Sequence, residues 1–398
     1  MSLLAVITVC VAIFVTFVLR RRERAVETWL RNERAKINFT FLGTKLPLES
    51  RLALRAQANK RLLSAFGIIN SLTTTSPHQH RVFLSAASKV VNDSENRGNS
   101  RWTTLYRVAE TFLNQEIRTT KGRITLEDCA QRLCLTVVLV DNFGIELTNI
   151  PSQTASSIAQ EINRQWLLSK CDPRVTRSRT LEASLRSLGL RQAQGDSELA
   201  PEDALAIIMP QYETLWRVVL LGFVTAYHRQ RRPATVARGR NVPNCLGNRE
   251  QEAEAVKLAM EALRLYPSNK SIYRASPLGT GVAITATVNA DVEGCHRHAQ
   301  IWGADALEFR PERFDTLKSL QEEAYFPYSL GPHRCPAING FGNRMITMLL
   351  VALGRTLSAE AGRVRFNDAG LDGDNKTPLP TGRGDVGSWV FEVAAASA

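Results

Sequence analysis

The sequence predicts a mostly α-helical domain with a minor β component, preceded by one membrane-spanning helix. Three observations carry that prediction. Leu3 to Leu19 is an uncharged apolar run closed by Arg20, Arg21, Arg22 and Arg24. From Glu49 to Tyr266 apolar residues recur mainly at helical spacing. Strand-like patterns are confined to short stretches, Gly279–Val292, Val364–Phe366 and Trp389–Val393.

Taken in order, Leu3–Leu19 as a helix covers roughly 26 Å, close to the hydrocarbon thickness of a bilayer. The arginines follow the apolar run, and no small-residue cleavage site comes after them, which argues against a removed signal peptide. The positive-inside rule then places the rest of the chain on the cytosolic side. The expected organisation is an anchor with its basic stop over residues 1–24, a linker over 25–48 and one domain over 49–398. Four Asn-x-Ser/Thr sequons, at Asn38, Asn92, Asn269 and Asn375, would face the cytosol and stay unmodified.

Within the domain, Glu49–Phe66 reads as a surface helix and Ser71–Pro77 as a turn. Helices follow over His78–Val91, Arg107–Leu113, Leu126–Val140, Pro151–Leu167 and Leu181–Leu190, with a basic stretch at Cys171–Arg179. Glu202–Arg229 is the longest helix of the domain, Gln230–Arg249 is a loop, and Glu252–Tyr266 is an amphipathic helix stopped by Pro267.

Composition narrows the function classes. The 398 residues are 44% hydrophobic and 22% charged, an ordinary globular balance. The net charge of +12 is spread along the chain, and no dense basic tract marks a nucleic-acid interface. The seven cysteines show no paired spacing, which favours a reducing compartment. Cys295-His296-Arg297-His298, and the pair His78 and His80, lack a second ligand pair at structural-zinc spacing. No Gly-x-Gly-x-x-Gly follows a strand, so no flavin or nicotinamide domain is built in.

Four constellations remain. Tyr328-Ser329-Leu330-Gly331-Pro332-His333-Arg334-Cys335-Pro336 sets one cysteine past a Gly-Pro turn, ahead of the apolar run Met345–Leu353. A thiolate there can be held by backbone N–H groups and by the positive end of the following helix. Glu261-Ala262-Leu263-Arg264 places an acid and a base on one helix face. Phe309-Arg310-Pro311-Glu312-Arg313-Phe314, after Trp302-Gly303, is an aromatic-rich irregular segment. Pro210-Gln211-Tyr212-Glu213-Thr214 places an acid–alcohol pair after a proline inside the long helix, where the missing N–H frees a carbonyl one turn back.

In order and spacing these segments resemble the motifs of cytochromes P450, a membrane-anchored fungal-type member with a shortened N-terminal part. Tyr328, Gly331, His333 and Cys335 fall on the haem-loop positions, with Ala337 where the family's second glycine is usual. The resemblance implies a P450 fold, abbreviated at the N-terminus, holding haem b through Cys335 as axial ligand of the iron. It implies that Glu261, Arg264 and Arg313 form a buried structural network, and that Glu213 and Thr214 are the catalytic acid–alcohol pair. Haem propionates would be met by Arg81, Arg274 and His333. The tryptophan that the family carries four residues before the arginine is replaced here by Pro77, and Pro210 and Gln211 replace the usual small pair.

The function so implied is a monooxygenase that hydroxylates or epoxidises a lipophilic small molecule in specialised (secondary) metabolism. Its electrons would come from a separate NADPH-dependent flavoprotein reductase. Its site of action would be the endoplasmic reticulum membrane, held through residues 3–19, with no nucleic-acid partner. Two other readings use the same residues: a haem-thiolate isomerase or dehydratase that needs no external electrons, and a catalytically degenerate haem-binding membrane protein.

Overall fold

A computed structural model describes residues 3–40, 46–96, 98–191, 197–230, 249–277 and 284–394. It begins with α1 (Leu3–Asn38), one unbroken helix. Nothing interrupts it: the segment contains no proline or glycine, and the arginine cluster that ends the apolar run is itself helix-compatible. Ile7, Val11, Ile13, Phe14 and Phe17 are exposed. The side chains of residues 3–6, 9 and 19, part of the expected anchor, lie outside the described residues.

The linker expected over 25–48 is helical in its first half. Val26, Leu30 and Ile37 are buried in a small core with Ala290, Ile301, Trp302 and Phe326. Glu33 accepts the Asp291 N–H at 2.8 Å. The spacing of Val26, Leu30, Glu33 and Ile37 is one helical face, which was the available signal.

α2 (Leu48–Ala58) and α3 (Lys60–Phe66) replace the single helix expected over Glu49–Phe66. The break falls at Asn59, and α3 ends at Gly67, whose φ of 69° suits a left-handed cap. Then come α4 (Pro77–Asn96), α5 (Gly98–Thr119), β1 (Arg123–Thr125) and α6 (Leu126–Phe143). α7 (Ser152–Cys171), α8 (Arg179–Arg186) and α9 (Pro201–Phe223) follow, α9 passing into a π-helical turn, Val224–Arg229. Pro201–Arg229 is, among the described residues, the one helix long and apolar enough to cross a membrane, but 67% of its apolar window is buried inside the domain. It is the central core helix, packed on α6.

α10 (Arg249–Leu265) leads to a hairpin of β2 (Ser271–Pro277) and β3 (Ile284–Asp291), antiparallel with Arg274 opposite Val288. The loop expected over Gln230–Arg249 lies outside the described residues from 231 to 248, as do residues 279–283 of the strand stretch expected over Gly279–Val292. Helical turns α11 (Val292–Arg297), α12 (Ala299–Trp302) and α13 (Ser319–Ala324) precede α14 (Phe341–Thr356), β4 (Gly362–Arg365), the turn α15 (Ala369–Gly373) and β5 (Val390–Val393).

The second sheet has the order β1-β5-β4. Phe391 is paired with Ile124 on one side and Val364 on the other. The sequence signal showed only the two later strands, because three-residue β1 has no alternation of its own to read. The main core joins α5, α6, α9, α10 and α14. Close helix approach depends on small residues. A Cβ on Gly222 would lie 2.9 Å from the Ala262 Cβ, and one on Gly354 would lie 2.3 Å from the Tyr227 ring. The observed architecture is mostly helical with two small sheets, as expected.

Candidate active site

The loop that presents Cys335 is held from both ends. The Cys335 N–H donates to the Tyr328 carbonyl at 2.8 Å. The Tyr328 hydroxyl donates to Asn343 Oδ1 at 2.7 Å, and its ring packs on Gly342, where a Cβ would lie 2.4 Å from the hydroxyl oxygen. Ser329 and Gly331 take φ values of 66° and 65°, so the chain turns sharply twice before the cysteine. Between Cys335 and α14 stand a 3-10 turn, Pro336–Asn339, and Gly340. The cysteine therefore precedes the helix by more than a turn, and the backbone group that reaches its sulfur is the Ala337 N–H.

Cys335 is exposed on a cavity of about 380 Å³ between the loop and α4, lined also by Leu84, Ser88 and Val91. Enclosure away from bulk water raises its pKa, while the Ala337 N–H and the Arg55 guanidinium pull the other way.

Behind the loop the expected network is present. Arg264 donates through Nε and Nη2 to the two oxygens of Glu261, at 2.7 and 2.8 Å, with both side chains fully buried. Its remaining donors meet the carbonyls of His296, Ala306 and Glu308. Arg313 Nε donates to Glu261 Oε1 at 3.0 Å, and the Arg310 N–H donates to the same oxygen at 2.8 Å. Trp302 lies 5.0 Å from the Arg264 guanidinium, face on. A buried charge pair so completely hydrogen-bonded is tolerable; removing Glu261 would strand Arg264, and removing Arg264 would leave Glu261 Oε2 without a partner. His296 takes the neutral form: its Nε2 accepts the Phe326 N–H, and burial pushes its pKa down to about 3.

A second cluster flanks the cysteine loop. His333 is buried, and neither ring nitrogen has a partner. Its ring meets His80 at 5.5 Å and Phe39 at 5.7 Å, both edge to face. Arg274 is buried, donates to the Tyr273 carbonyl, leaves Nε without a partner, and lies 4.7 Å over the Phe39 ring. Arg55 donates to the Ser71 carbonyl and hydroxyl, both at 2.9 Å, and Ser71 in turn meets His80 Nδ1. Burial, then neighbouring cations, push His333 down to about 3 and Arg274 to about 9. Burial takes Arg55 to about 10.

Arg274 and His333 both meet the Phe39 ring, whereas Arg81, the third residue implied for the propionates, is exposed on α4. The inward position is held by His80, one residue earlier, because a helical step of one residue rotates the side chain by about 100°. Sequence reasoning missed Arg55 and Arg51. Their spacing of four on α2 was the signal, but nothing in it says which face is buried.

The acid–alcohol pair is not joined to this cluster by any contact among the described residues. Thr214 Oγ1 donates to the Pro210 carbonyl at 3.0 Å and approaches that of Gln211. Gln211 exchanges two amide hydrogen bonds with Asn142 of α6. Glu213 is buried in an ion pair with Arg383, which also donates to Asn163 Oδ1 and stacks 4.7 Å from Trp166.

Residues 260–358 match the family model described as Cytochrome P450. That stretch contains Glu261, Arg264, Arg274, Arg313, His333 and Cys335, and excludes Arg81, Glu213 and Thr214. CYP13A2 of Caenorhabditis elegans, described as a putative cytochrome P450, is 37% identical over 82 residues, 19% of this chain and 16% of that protein. The cytochrome P450 CYP749A22 of Panax ginseng is 31% identical over 135 residues, 31% of this chain and 25% of that protein. The chain therefore spans a quarter or less of these curated relatives. Among solved structures, a 6-coordinated cytochrome P450 from Thermus thermophilus shares the fold with a TM-score of 0.54 at 19% identity, over 88% of this chain and 91% of that one. CYP102L1 does so with a TM-score of 0.51 at 14% identity, over 75% and 77%. The likeness to cytochromes P450 thus lies in sequence over residues 260–358 and in the fold over most of the described chain.

Proposed function

We propose that this protein is a membrane-anchored haem-thiolate monooxygenase acting on a lipophilic small molecule. The observation that carries the reading is Cys335, presented on a cavity beside a buried cation cluster that has no carboxylate partner among the described residues. The residues fit haem. Orphaned buried nitrogens of Arg274 and His333 suit its propionates, and a loop cysteine assisted by an N–H and a nearby guanidinium suits its iron.

When bound, haem would supply the oxidation chemistry, using dioxygen and two electrons delivered singly from a flavoprotein reductase. The chain's own residues hold and shield it. Cys335 would ligate as thiolate, Arg274 and His333 would meet the carboxylates, and the Glu261–Arg264–Arg313 network would keep the loop in register behind them. Thr214 would need to turn its hydroxyl from the Pro210 carbonyl to reach a substrate or a proton path, a rotation about one χ1 bond. The exposed apolar half of α1 and its arginine collar support a membrane anchor with the domain on the cytosolic side of the endoplasmic reticulum. A lipophilic substrate from specialised metabolism fits that placement.

A second reading is favoured by one observation. With Glu213 tied to Arg383 and Thr214 bonded back to its own helix, a haem-thiolate isomerase or dehydratase, needing no delivered protons or electrons, would use the same Cys335.

The test is spectroscopic. Hemin-loaded protein, reduced under carbon monoxide, should give a thiolate-type Soret band that Cys335→Ala abolishes. Absence of that band in the wild type sinks both readings. With the band present, substrate-dependent NADPH consumption in the presence of a reductase marks the monooxygenase. Turnover of substrate without NADPH marks the isomerase.

A further inference from the structure

The half-buried face of the central helix carries a cation that is not part of the cysteine site. On α9, Ile207, Pro210, Thr214 and Arg217 are half-buried, at steps of three, four and three residues. They form one stripe roughly 15 Å long, at about 1.5 Å per residue. The stripe begins apolar, passes the Thr214 hydroxyl and ends on the Arg217 guanidinium. Arg217 donates through its two terminal nitrogens to the Thr381 and Ser268 carbonyls, at 3.2 and 3.0 Å, and its Nε is buried without a partner.

Those two carbonyls stand two residues from Arg383 and Lys270. Arg383 lies 4.7 Å from the centre of the Trp166 ring on α7, and Arg61 of α3 lies 4.2 Å from the same ring. Arg61 also donates to the Ser169 hydroxyl at 2.9 Å, next to Lys170. Three helices and two loops thus gather five cations. Glu213 balances Arg383, but among the described residues no ion pair reaches Arg61, Lys170, Arg217 or Lys270. Glu293, the acid that faces Arg217 and Lys270, is taken by Arg297 at 3.1 Å and by the Thr381 hydroxyl at 3.3 Å. Asp385 also faces Lys270 and accepts the Gly382 N–H at 2.6 Å. Burial, then Arg61, Arg383, Arg217 and Lys270, hold the Lys170 ammonium below its usual pKa. Lys170 is nevertheless exposed and Lys270 half-buried, so the cluster is open to a ligand from solvent. Cations gathered in this way repel one another, and an anion among them relieves the repulsion.

We propose that Arg61, Lys170, Arg217 and Lys270 bind the acid group of the substrate, and that this substrate is a long apolar carboxylic acid whose body lies along Thr214, Pro210 and Ile207. A stripe that is apolar at one end and cationic at the other matches a chain with a single terminal anion. Arginine suits a carboxylate by its planar fork of donors. The inference rests on the monooxygenase reading for the chemistry done beside Thr214, and it narrows the lipophilic substrate to an acid. Binding of the acid does not depend on that chemistry.

The test is calorimetric binding of dodecanoate and of dodecanol to the full, hemin-treated chain in a non-ionic detergent. The two probes share the apolar chain and differ in the charge of the head. The wild type should bind dodecanoate about tenfold or more tighter than dodecanol, the scale of one charged hydrogen bond. Arg217→Met should remove most of that preference and leave dodecanol binding within about twofold of wild type, whereas a merely structural role for Arg217 would weaken both ligands alike. Arg217→Lys should fall between the two. Arg217 also ties down two loops, so Lys170→Met, at an exposed position, is the second variant. It should weaken dodecanoate by about two- to fivefold with dodecanol unchanged, and it decides alone if Arg217→Met does not fold. A wild type without the preference, or a preference that survives these substitutions, overturns the proposal. The heat of binding is read without reference to the iron. A chain that shows the preference but no thiolate band therefore fails the haem-thiolate reading and keeps the acid site, and a chain with the band but no preference does the reverse.

Discussion

Glu213 on α9 and Arg383, in the segment between α15 and β5, form a buried ion pair that joins the central helix to the C-terminal part of the chain. Thr214, its neighbour, has no share in that pair and bonds to the Pro210 carbonyl instead. Consecutive residues on a helix point about 100° apart, so the two neighbours serve different partners.

Glu213→Gln should therefore act first on stability. Leaving Arg383 buried and unpaired should cost about 3–5 kcal/mol, read by urea unfolding of the haem-free chain. In the double variant with Arg383→Met the loss should be smaller than the sum of the two single losses. A Glu213→Gln protein of wild-type stability with slowed, solvent-isotope-sensitive turnover would identify a proton relay instead.

Thr214→Ala removes a hydroxyl bonded within its own helix turn. Stability should change by less than about 1 kcal/mol, and the thiolate band should persist. If Thr214 serves oxygen chemistry, the ratio of product formed to NADPH consumed should fall.

Arg264→Met should be strongly damaging, because the fully buried Glu261 loses its paired guanidinium and keeps Arg313 and the Arg310 N–H on Oε1 alone. A loss of about 3–5 kcal/mol is expected, with little or no hemin incorporated. Denaturant unfolding and haem content per chain measure the two effects separately.

His296 supplies a pH test. Burial pushes its folded pKa to about 3 from an ordinary 6.5. Between these values the unfolded chain binds the proton and the folded chain does not, so the contribution to stability falls as pH drops. Its slope should approach 1.4 kcal/mol per pH unit at roughly pH 4 to 5. His296→Asn should flatten the stability-against-pH curve in that window, and an unchanged slope would count against the assignment.

Gly354→Ala forces a methyl group into the Tyr227 ring. A loss of about 1–3 kcal/mol is expected, and Tyr227→Leu in the same chain should recover part of it.

The helices were legible because each carries its own apolar period: α4 and α6 to α10 fall close to where the periodicity puts them, whereas α5 (Gly98–Thr119) extends well beyond the expected Arg107–Leu113 at both ends. The network was legible because Glu261 and Arg264 share a helix turn and Arg313 follows in an aromatic frame. β1 was not, since three residues show no alternation, and neither was the split of α2 from α3 at Asn59, which has no proline or glycine to mark it. The resemblance points to Arg81, whereas packing turns His80 inward, because which of two adjacent helix residues is buried is settled only when a neighbour packs.

The sequence by itself determined the helical class, the apolar N-terminal run, and the order Glu261, Arg264, Arg313, Cys335, all local patterns set by residue spacing. Only the tertiary structure decided that α1 runs on past its arginines into the domain, that Phe39 meets Arg274 and His333, and that Glu213 finds Arg383. Those pairs lie far apart along the chain, and which of them meet is set by how the helices pack, a relation that no single segment contains.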